Sequence, residues 1–575
     1  MTKPPRYGAI SRRTFVTGIS AGMALLGLPG FPLPARARVP PPAVLSGNRF
    51  DLTLGNQPVN FTGQANTALS INGATPGPIL RWKEGQTVTL DIHNSLTTGS
   101  AIHWHGIRLP STMNGFPGIN FAGIQPGQHF RYRFKVQQSG TYWYQGTWGF
   151  QRQKGLYGAI VIDPEQTDPI TSDRDYVVLL SDWSDENSAS IYANLKKDGR
   201  YYNRRRQRTA TDLWREVRNK GVEQTLRERH RWNLLGKSDR DVSDVGGYTF
   251  LINGQTPEDN WTALFKPGET VRLRFINASA MTLFDLRIPD LEMTLVAADG
   301  QNIQPLRVDE FRLGTGETYD VLVRPNSDRA YSLFAQAIDR SGYACGTLTP
   351  QLGLAAEVPS LDPIPILGKR DLGLGSISST PASEEKTASR LAPAGLGSDS
   401  PISHPSSEKG FAVATRTQMP VNGLGDPGVG LRDHQQHYSR RVLSYADLRS
   451  LMPTSDPRDP QRELQLHLTG NQDRYMWSID GIKFKDAYPL VFNHGERLRI
   501  TLVNDTLMTQ PMHLHGFWSE LETGDGEYMP RKHTLMVQPS AKISYLINAD
   551  TYGRWVLQCQ MLYRAGGMCR EVRIV

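Results

Sequence analysis

Short segments of alternating apolar and polar residues, separated by turn-forming residues, follow one another along most of the chain after residue 45. Alternation with a period of two is typical of a β-strand that buries one face. One form of the pattern occurs three times, at 85–94, 268–277 and 495–504, and places a turn glycine nine residues before an asparagine. Three copies in one chain predict three related β-sandwich domains.

A helical pattern interrupts the strands between residues 188 and 245, most clearly at 213–218 and 225–229. Residues 196–240 contain 15 Lys and Arg against 6 Asp and Glu, a local charge of +9 (15 − 6). We therefore predict a basic helical insert, for which a solvated surface is the simpler interpretation. A docking patch for an acidic protein or for membrane headgroups is the alternative.

The first 37 residues contain five basic residues and no acidic ones, and an apolar stretch leads to Ala35-Arg36-Ala37. Residues 11–16, Ser-Arg-Arg-Thr-Phe-Val, resemble a twin-arginine export signal. We predict cleavage after Ala37 and export to the periplasm by the twin-arginine route. Cleavage lowers the formal net charge from +8 to +3 (8 − 5), and the chain without the insert then carries −6 (3 − 9). The basic composition therefore does not indicate nucleic acid as a partner.

Two His-x-His pairs lie at the same position of the repeat in the first and third predicted domains. Each pair begins nine residues after the asparagine of its repeat, and the pairs are His103/His105 and His513/His515. Residues i and i+2 of a strand point to the same face, so each pair presents two imidazoles side by side. Imidazole is the commonest protein ligand for metals, and four that converge from two domains suit Cu or Zn.

These motifs resemble those of the multicopper oxidases. The resemblance rests on His-Trp-His-Gly at 103–106, Gly-Thr-Tyr-Trp-Tyr at 140–144, His-Leu-His-Gly at 513–516 and the terminal strand with Cys559. Longer phrases, such as Leu-Val-Ala-Ala-Asp-Gly-Gln at 295–301, resemble the copper-resistance protein A branch of that family. The resemblance implies an all-β fold of three cupredoxin-like Greek-key β-sandwich domains, with a small helical insert in the second.

The resemblance also implies domain limits. The expected domains are 46–165, 166–365 with its insert at 188–245, and 431–575. Residues 366–430 are rich in Gly, Ser, Pro and Ala without an apolar period, which predicts a flexible linker between the second and third domains.

The family implies a trinuclear copper cluster between the first and third domains and a blue-copper centre in the third. The ligand set of this chain departs from that pattern, because six of the ten histidine positions hold other residues. In the trinuclear set His103, His105, His513 and His515 remain, and the replacements are Gln145, Thr147, Gln558 and Gln560. At the blue-copper positions Cys559 and the axial candidate Met568 remain, and the replacements are Gln510 and Arg564.

The replacements predict loss of the four-copper chemistry. A blue-copper centre needs two histidines and a cysteine, and a guanidinium offers no lone pair and repels a cation. The four remaining histidines favour at most one copper ion. They also agree with a metal-free interface in which imidazoles and glutamines form hydrogen bonds.

Three functions remain open from the sequence. The first is a periplasmic protein of copper handling or tolerance, with at most one copper ion at the four remaining histidines. The second is a copper-dependent oxidase of phenols or Cu(I), with O₂ as acceptor and a mononuclear or unconventional site. The third is a metal-free interaction or scaffold protein of the periplasm.

Overall fold

The computed structural model describes residues 42–203, 209–234, 237–373 and 391–575. The predicted export signal at 1–37 and part of the predicted linker lie outside the described residues. Strands dominate and form six sheets, which combine in pairs into three β-sandwiches, one after another along the chain. The predicted fold class, with a small helical insert in the second sandwich, is confirmed.

The first sandwich combines a five-stranded sheet, ordered β1-β4-β9-β8-β6, with a four-stranded sheet, ordered β3-β2-β5-β7. Its strands are β1 (Val44–Ser46), β2 (Arg49–Val59), β3 (Asn66–Ile71), β4 (Ile79–Lys83), β5 (Thr87–Asn94), β6 (Ile102–His105), β7 (His129–Lys135), β8 (Gly140–Gly146) and β9 (Tyr157–Asp163). Large aromatic side chains, among them Trp82, Trp104 and Tyr144, fill the core between the sheets.

The second sandwich combines a six-stranded sheet, ordered β11-β10-β13-β18-β15-β16, with a five-stranded sheet, ordered β12-β20-β19-β14-β17. Its strands are β10 (Arg174–Trp183), β11 (Thr249–Ile252), β12 (Trp261–Leu264), β13 (Val271–Asn277), β14 (Phe284–Arg287), β15 (Met293–Ala298), β16 (Gln301–Val308), β17 (Glu310–Leu313), β18 (Thr318–Val323), β19 (Tyr331–Ala337) and β20 (Tyr343–Thr349).

The third sandwich combines a seven-stranded sheet, ordered β23-β22-β25-β30-β27-β28 with β21 beside β30, and a five-stranded sheet, ordered β24-β32-β31-β26-β29. Its strands are β21 (Val421–Asn422), β22 (Arg462–Asn471), β23 (Met476–Ile479), β24 (Leu490–Phe492), β25 (Arg497–Asn504), β26 (Gln510–Leu514), β27 (Ser519–Leu521), β28 (Arg531–Lys532), β29 (Thr534–Val537), β30 (Ala541–Asn548), β31 (Gly553–Cys559) and β32 (Cys569–Ile574). One hydrophobic cluster continues from the second sandwich into the third, which joins their cores.

The three copies of the sequence repeat form equivalent strands, β5, β13 and β25. Each pairs in parallel with a long strand near the start of its sandwich (β2, β10 or β22) and antiparallel with a later strand (β7, β18 or β30). The asparagine that ends each copy is buried, and its amide donates to loop and strand carbonyls, for instance from Asn94 to the oxygen of Ile124 at 2.7 Å. The repeat therefore conserves a clamp between the central strand and the loop that follows it.

Helices are few and short. The insert between β10 and β11 contributes α1 (Ser188–Lys197), α2 (Ala210–Lys220) and α3 (Val222–Leu234); α4 (His434–Tyr438) and α5 (Leu562–Ala565) lie in the third sandwich region. Single 3₁₀ turns occur at Ser111–Met113, Arg370–Leu372, Gly410–Ala412, Tyr445–Asp447 and Phe484–Asp486. A capping box between Thr209 and Asp212 begins α2, since each side chain satisfies a backbone N–H of the first turn.

The insert reaches the third sandwich. Ile191 and Leu195 of α1 are buried in the shared core, and the Lys196 ammonium donates to the carbonyl of Tyr475 at 2.7 Å. Within α2 and α3, ion pairs join Lys220 to Glu228 and Glu216 to Arg229.

The segment expected to be a flexible linker differs from that expectation where it is described. Residues 391–430 follow the surface of the third sandwich, and some of their carbonyl groups accept hydrogen bonds from side chains of its sheet. Arg499 donates to the carbonyls of Ala392 and Pro393, and Lys542 donates to that of Ser398. Strand β21 then joins the sheet. The segment is therefore held by hydrogen bonds to its backbone, which do not require the apolar period that its sequence lacks. Among the described residues, no helix has both the length and the apolar character needed to cross a membrane.

Candidate metal centre

The two His-x-His pairs meet between the first and third sandwiches. His103 and His105 lie on β6, and His513 and His515 lie at the end of β26. The centre of the His105 ring is 3.9 Å from that of His513, and the rings of His103 and His515 are 4.0 Å apart. All four side chains are buried. The sequence prediction that two domains bring these imidazoles together therefore matches the geometry.

Backbone carbonyls fix which nitrogen of each ring is free. The Nδ1 of His103 donates to the carbonyl of Asn114 at 2.9 Å, and the Nδ1 of His513 donates to the carbonyl of His533. A neutral imidazole with a proton on Nδ1 keeps its lone pair on Nε2. Both Nε2 atoms are buried without a hydrogen-bond partner. These two histidines therefore present metal-binding lone pairs to the interior.

His105 presents its other nitrogen. Its Nε2 is 3.0 Å from the hydroxyl of Thr534, which itself donates to the carbonyl of Gly316. The hydroxyl therefore accepts from Nε2, and the Nδ1 of His105 is left buried with no partner. One ring nitrogen from each of His103, His105 and His513 lies within 4.8 Å of the other two. Three buried imidazoles this close, each with a nitrogen that has no hydrogen-bond partner, are an arrangement that a metal ion can fill.

His515, in contrast, has partners for both nitrogens. The side-chain amide of Gln558 donates to its Nε2 at 3.1 Å, so its Nδ1 carries the proton and donates to the amide oxygen of Asn114 at 3.3 Å. His515 therefore stacks on His103 without offering a lone pair to the neighbouring histidines. His533, which the sequence analysis did not single out, also belongs to this group of histidines. Its ring centre is 4.9 Å from that of His105, and its Nε2 has no hydrogen-bond partner either.

Burial keeps these imidazoles neutral. It lowers the pKa of His103 to about 4 and moves the pKa values of His105, His513, His515 and His533 well below the usual value, because the charged form loses its hydration. We call His103, His105, His513 and His533 the histidine cluster. Its nitrogens are in the form that binds metals at neutral pH.

Gln145 and Gln560, at two positions where the family resemblance implies histidine, lie against an arginine. The guanidinium of Arg152 is buried and donates to the side-chain oxygen of Gln145 at 2.9 Å and to the carbonyl of Gln560 at 2.5 Å. Thr147 turns away and donates to the carbonyl of Gly115 at 2.8 Å. A fixed positive charge with its own hydrogen-bond partners therefore lies among the substituted residues, which do not fit a coupled copper pair.

A second arginine fills the blue-copper position. Arg564 is buried, and its guanidinium donates to Asp244 at 2.7 Å, to the side-chain oxygen of Gln510 at 2.9 Å and to the carbonyl of Thr509 at 3.0 Å. The thiol of Cys559 donates to the same Gln510 oxygen at 3.4 Å, and burial raises its pKa to about 11. A neutral thiol beside a guanidinium has no thiolate to offer copper, so these residues do not fit a blue-copper ion.

Met568, the axial candidate, is buried on the same loop, where its carbonyl accepts from the N–H of Cys559 at 3.0 Å. Cys559 and Met568 thus lie on one loop, and the other two expected ligand positions hold Gln510 and Arg564, which do not fit a blue-copper ion.

The second sandwich supplies two carboxylates that the sequence reading missed. Asp244 belongs to the insert and neutralises Arg564. Asp299 accepts from the backbone N–H groups of His533 and Thr534, both at 3.0 Å, and so positions the strand that orients His105. Neither residue carries a sequence signal, since each acts on a partner more than 200 residues away. Arg152 follows Gln145 closely in sequence, but no motif of the sequence marked it as part of the site.

A cavity of about 290 Å³ borders the substituted positions. Arg152, Gln145, Gln558 and Cys559 line it together with apolar residues such as Phe116 and Phe150. The lining residues described for it include none of the histidine cluster. The histidine cluster is therefore enclosed, and the substituted positions are the more accessible part of this region.

The paired sandwiches define a cupredoxin-type fold, with the four imidazoles buried between its first and third sandwiches. Three family models, each described as multicopper oxidase, match residues 53–167, 174–351 and 457–575, which together exceed half of the chain. The chain belongs to the multicopper oxidase family.

Similar proteins narrow the position within the family. The chain is 49% identical to a copper resistance protein A homolog of Pseudomonas syringae pv. tomato and 46% identical to copper resistance protein A of Escherichia coli, in both cases over 98% of this chain and 99% of the relative. It is 28% identical to multicopper oxidase MmcO of Mycobacterium tuberculosis, over 98% of this chain and 96% of that protein. The chain is thus more similar to these two copper resistance proteins than to MmcO.

Solved structures share the fold. The multicopper oxidase Fet3p, which functions in iron import, superimposes with a TM-score of 0.64 at 16% identity, over 92% of this chain and 90% of that one. The laccase-like CueO of Ochrobactrum sp. superimposes with a TM-score of 0.60 at 17% identity, over 94% of this chain and all of that one.

Proposed function

We propose that the protein handles copper in the periplasm by binding one ion at the histidine cluster, and that it does not carry out the four-copper oxidase reaction. The observation that carries the proposal concerns His103, His105 and His513: one ring nitrogen of each lies within 4.8 Å of the others, and each ring has a buried nitrogen without a hydrogen-bond partner. Buried polar atoms nearly always have a hydrogen-bond partner. Neighbouring buried nitrogens without one therefore support the binding of a further group, such as a metal ion, between these rings. Imidazole nitrogen suits copper.

The residues around the cluster support a binding role over an oxidase role. A copper ion held by neutral imidazoles supplies Lewis acidity and one-electron chemistry, but an oxidase also needs an acceptor for electrons from substrate. Arg564 and its partner Asp244 stand at the position of that acceptor, and Arg152 stands among the positions of the coupled pair. Under this proposal the described residues hold one metal ion in a buried site and offer no second redox centre.

The periplasmic location rests on the twin-arginine-like sequence at 11–16 and on the similarity to copper resistance proteins. The basic insert needs no docking partner under this proposal. Several of its basic side chains pair within the insert, as Arg240 does with Asp212 at 3.4 Å and Lys220 with Glu228 at 2.9 Å, which supports a solvated surface.

The test is the metal content of protein matured in the periplasm, together with its visible absorption. We expect about one copper ion per chain and no intense blue band, and no oxygen consumption with phenols or Cu(I). The double variant His103→Ala/His513→Ala should lose this copper. The control variant His437→Ala/His494→Ala, at two exposed histidines, should keep it.

Two results contradict the proposal. About four copper ions with a blue band would restore the oxidase. Equal copper content in the cluster variant and the control, with both folded by circular dichroism, would show that the cluster is a hydrogen-bonded interface instead.

A further inference from the structure

A second group of imidazoles and carboxylates lies on the third sandwich and is made of other residues than the histidine cluster. His467 is on β22, Asp505 follows β25, and His404 and Glu408 come from the segment that was expected to be a flexible linker. Neighbouring Leu466 and Leu468 face the hydrophobic core, so His467 points to the opposite face of the sheet. We call His404, Glu408, His467 and Asp505 the sheet-face cluster.

The ligand atoms of the sheet-face cluster lie close enough to share one metal ion. Each residue offers one atom, and all four atoms lie within 4.8 Å of one another. The Nδ1 of His404 is 2.7 Å from Oε2 of Glu408 and 3.8 Å from Oδ2 of Asp505, and the Nδ1 of His467 is 3.5 Å from Oε1 of Glu408 and 2.7 Å from Oδ2 of Asp505. Ligands about 2.0–2.1 Å from Zn²⁺ at the corners of a tetrahedron are roughly 3.3–3.4 Å apart. The observed separations lie on both sides of that value.

The outer nitrogens of both rings are already occupied. The Nε2 of His404 donates to the carbonyl of Thr417 at 3.2 Å, and the Nε2 of His467 donates to the side-chain oxygen of Gln465 at 3.3 Å. With the proton on Nε2, the lone pair of each Nδ1 faces the carboxylates. Such a contact requires either an additional proton or a metal ion between the atoms. An imidazole held by an oxygen acceptor on its far nitrogen is the usual arrangement of a metal-binding histidine.

Charge also favours a cation. Glu408 and Asp505 are fully buried, and the ion pairs found for them in the described part of the chain are with His404 and His467 alone. One oxygen of Glu408, Oε1, is buried and accepts no hydrogen bond. Two buried carboxylates with neutral imidazoles carry −2, which one divalent ion neutralises.

The backbone is shaped to bring Glu408 to the sheet. Gly481 has a positive φ of +71°, and a Cβ at this position would lie 2.5 Å from the carbonyl oxygen of Ser407 and 2.9 Å from the Cα of Glu408. Only glycine permits this close approach. The N–H of Thr417 donates to Asp505 at 2.7 Å, which fixes the far end of the same segment.

We propose that His404, Glu408, His467 and Asp505 bind one divalent transition ion of the Zn²⁺ class, as a closed structural site that fastens residues 401–417 to the third sandwich. Two imidazole nitrogens and two carboxylate oxygens form a donor set that Zn²⁺ accepts. Four protein ligands in a buried site leave no open position for substrate. The proposal does not depend on copper binding at the histidine cluster.

The experiment uses the full mature chain in the His103→Ala/His513→Ala background, so that the histidine cluster does not contribute. Zn²⁺ binding is measured by calorimetry, and Co²⁺ is added as a spectroscopic probe. We expect about one Zn²⁺ per chain and the strong visible bands of tetrahedral Co²⁺. His404→Gln/Glu408→Gln should weaken Zn²⁺ binding by at least ~10–100-fold. The matched control His437→Gln/Glu527→Gln, at other positions of the third sandwich region, should bind as the background does.

A second measurement follows the segment itself. Chelation should speed proteolysis within 391–417 in the background protein, and it should change nothing in His404→Gln/Glu408→Gln. The proposal is overturned if Zn²⁺ affinity is equal in His404→Gln/Glu408→Gln and in the control, or if bound Co²⁺ gives only the weak bands of an octahedral ion. The Co²⁺ spectrum needs no substitution in the sheet-face cluster, so it decides the matter even if that variant does not fold.

Discussion

The ion pair between Arg564 and Asp244 gives the sharpest test of how the blue-copper position has been refilled. Both side chains are buried, and their atoms are 2.7 Å apart. Asp244→Asn keeps the size of the side chain and removes the charge that neutralises the guanidinium. Removing one member of a buried pair costs about 3–5 kcal/mol, because the other charge stays buried without compensation. At about 2–4 °C per kcal/mol for domains of this size, Tm should fall by about 6–20 °C.

The complementary change, Arg564→Met, leaves Asp244 with the hydroxyl of Tyr475 at 3.0 Å and the amide of Gln472 at 3.3 Å. It should be destabilising for the same reason. In the double variant Asp244→Asn/Arg564→Met neither charge remains, and the effect should be smaller than the sum of the single effects by about 2–3 kcal/mol.

The assay is denaturation of all three variants, followed by circular dichroism. The control pair is Arg108 and Asp550, whose atoms are 2.6 Å apart but whose side chains are 31% and 44% exposed. Removal of one exposed partner should change stability by less than about 1 kcal/mol. Additive effects of Asp244→Asn and Arg564→Met, to within ~0.5 kcal/mol, would refute the view that the two residues form one unit.

Two further predictions concern other buried groups. Gln510→His/Arg564→His in the Asp244→Asn background rebuilds the two histidines beside Cys559, so added Cu²⁺ should give an intense visible band; no band would mean that more than these residues blocks the centre. Lys237 is buried with its ammonium 2.7 Å from the carbonyl of Leu507, and burial lowers its pKa to about 7, against 10.5 in an unfolded chain. Between those values the unfolded chain binds more protons, so stability rises with pH, by up to about 1.4 kcal/mol per unit, and is constant in this respect below pH 7. Stability curves at pH 7 and pH 9 should differ less in Lys237→Met than in the parent protein, and an equal difference would rule out Lys237 as the cause.

Most of the fold could be predicted from the pattern of strands in the sequence. The repeat predicted three sandwiches because the position of its asparagine is fixed by a local clamp, as Asn94 and its equivalents show. The meeting of His103 with His513 was predictable for the same reason, since both follow that clamp at the same distance in sequence. What the pattern could not give was the orientation of each ring. His515 is turned by Gln558 and Asn114, and these contacts depend on packing between sandwiches.

The buried arginines show a second limit of prediction from the sequence. That Arg564 excludes copper follows from its chemistry, but the presence of its counter-ion on the insert, 320 residues earlier, does not follow from any local pattern. The segment at 391–430 shows a third limit of prediction from the sequence. Its composition indicates flexibility because it lacks an apolar period, and yet its backbone carbonyls are held by buried side chains such as Arg499.

The guanidinium at the blue-copper position also affects how this protein can change over generations. Arg564→His alone would remove the counter-charge of Asp244, and Gln510→His alone would place a new ring against a guanidinium that remains in place. Each single change towards the ligand set that the family implies should therefore lower stability, and only combined changes at three positions, one of them on the insert of the second sandwich, avoid the penalty. The buried ion pair thus makes the present residues at this position resistant to replacement one at a time.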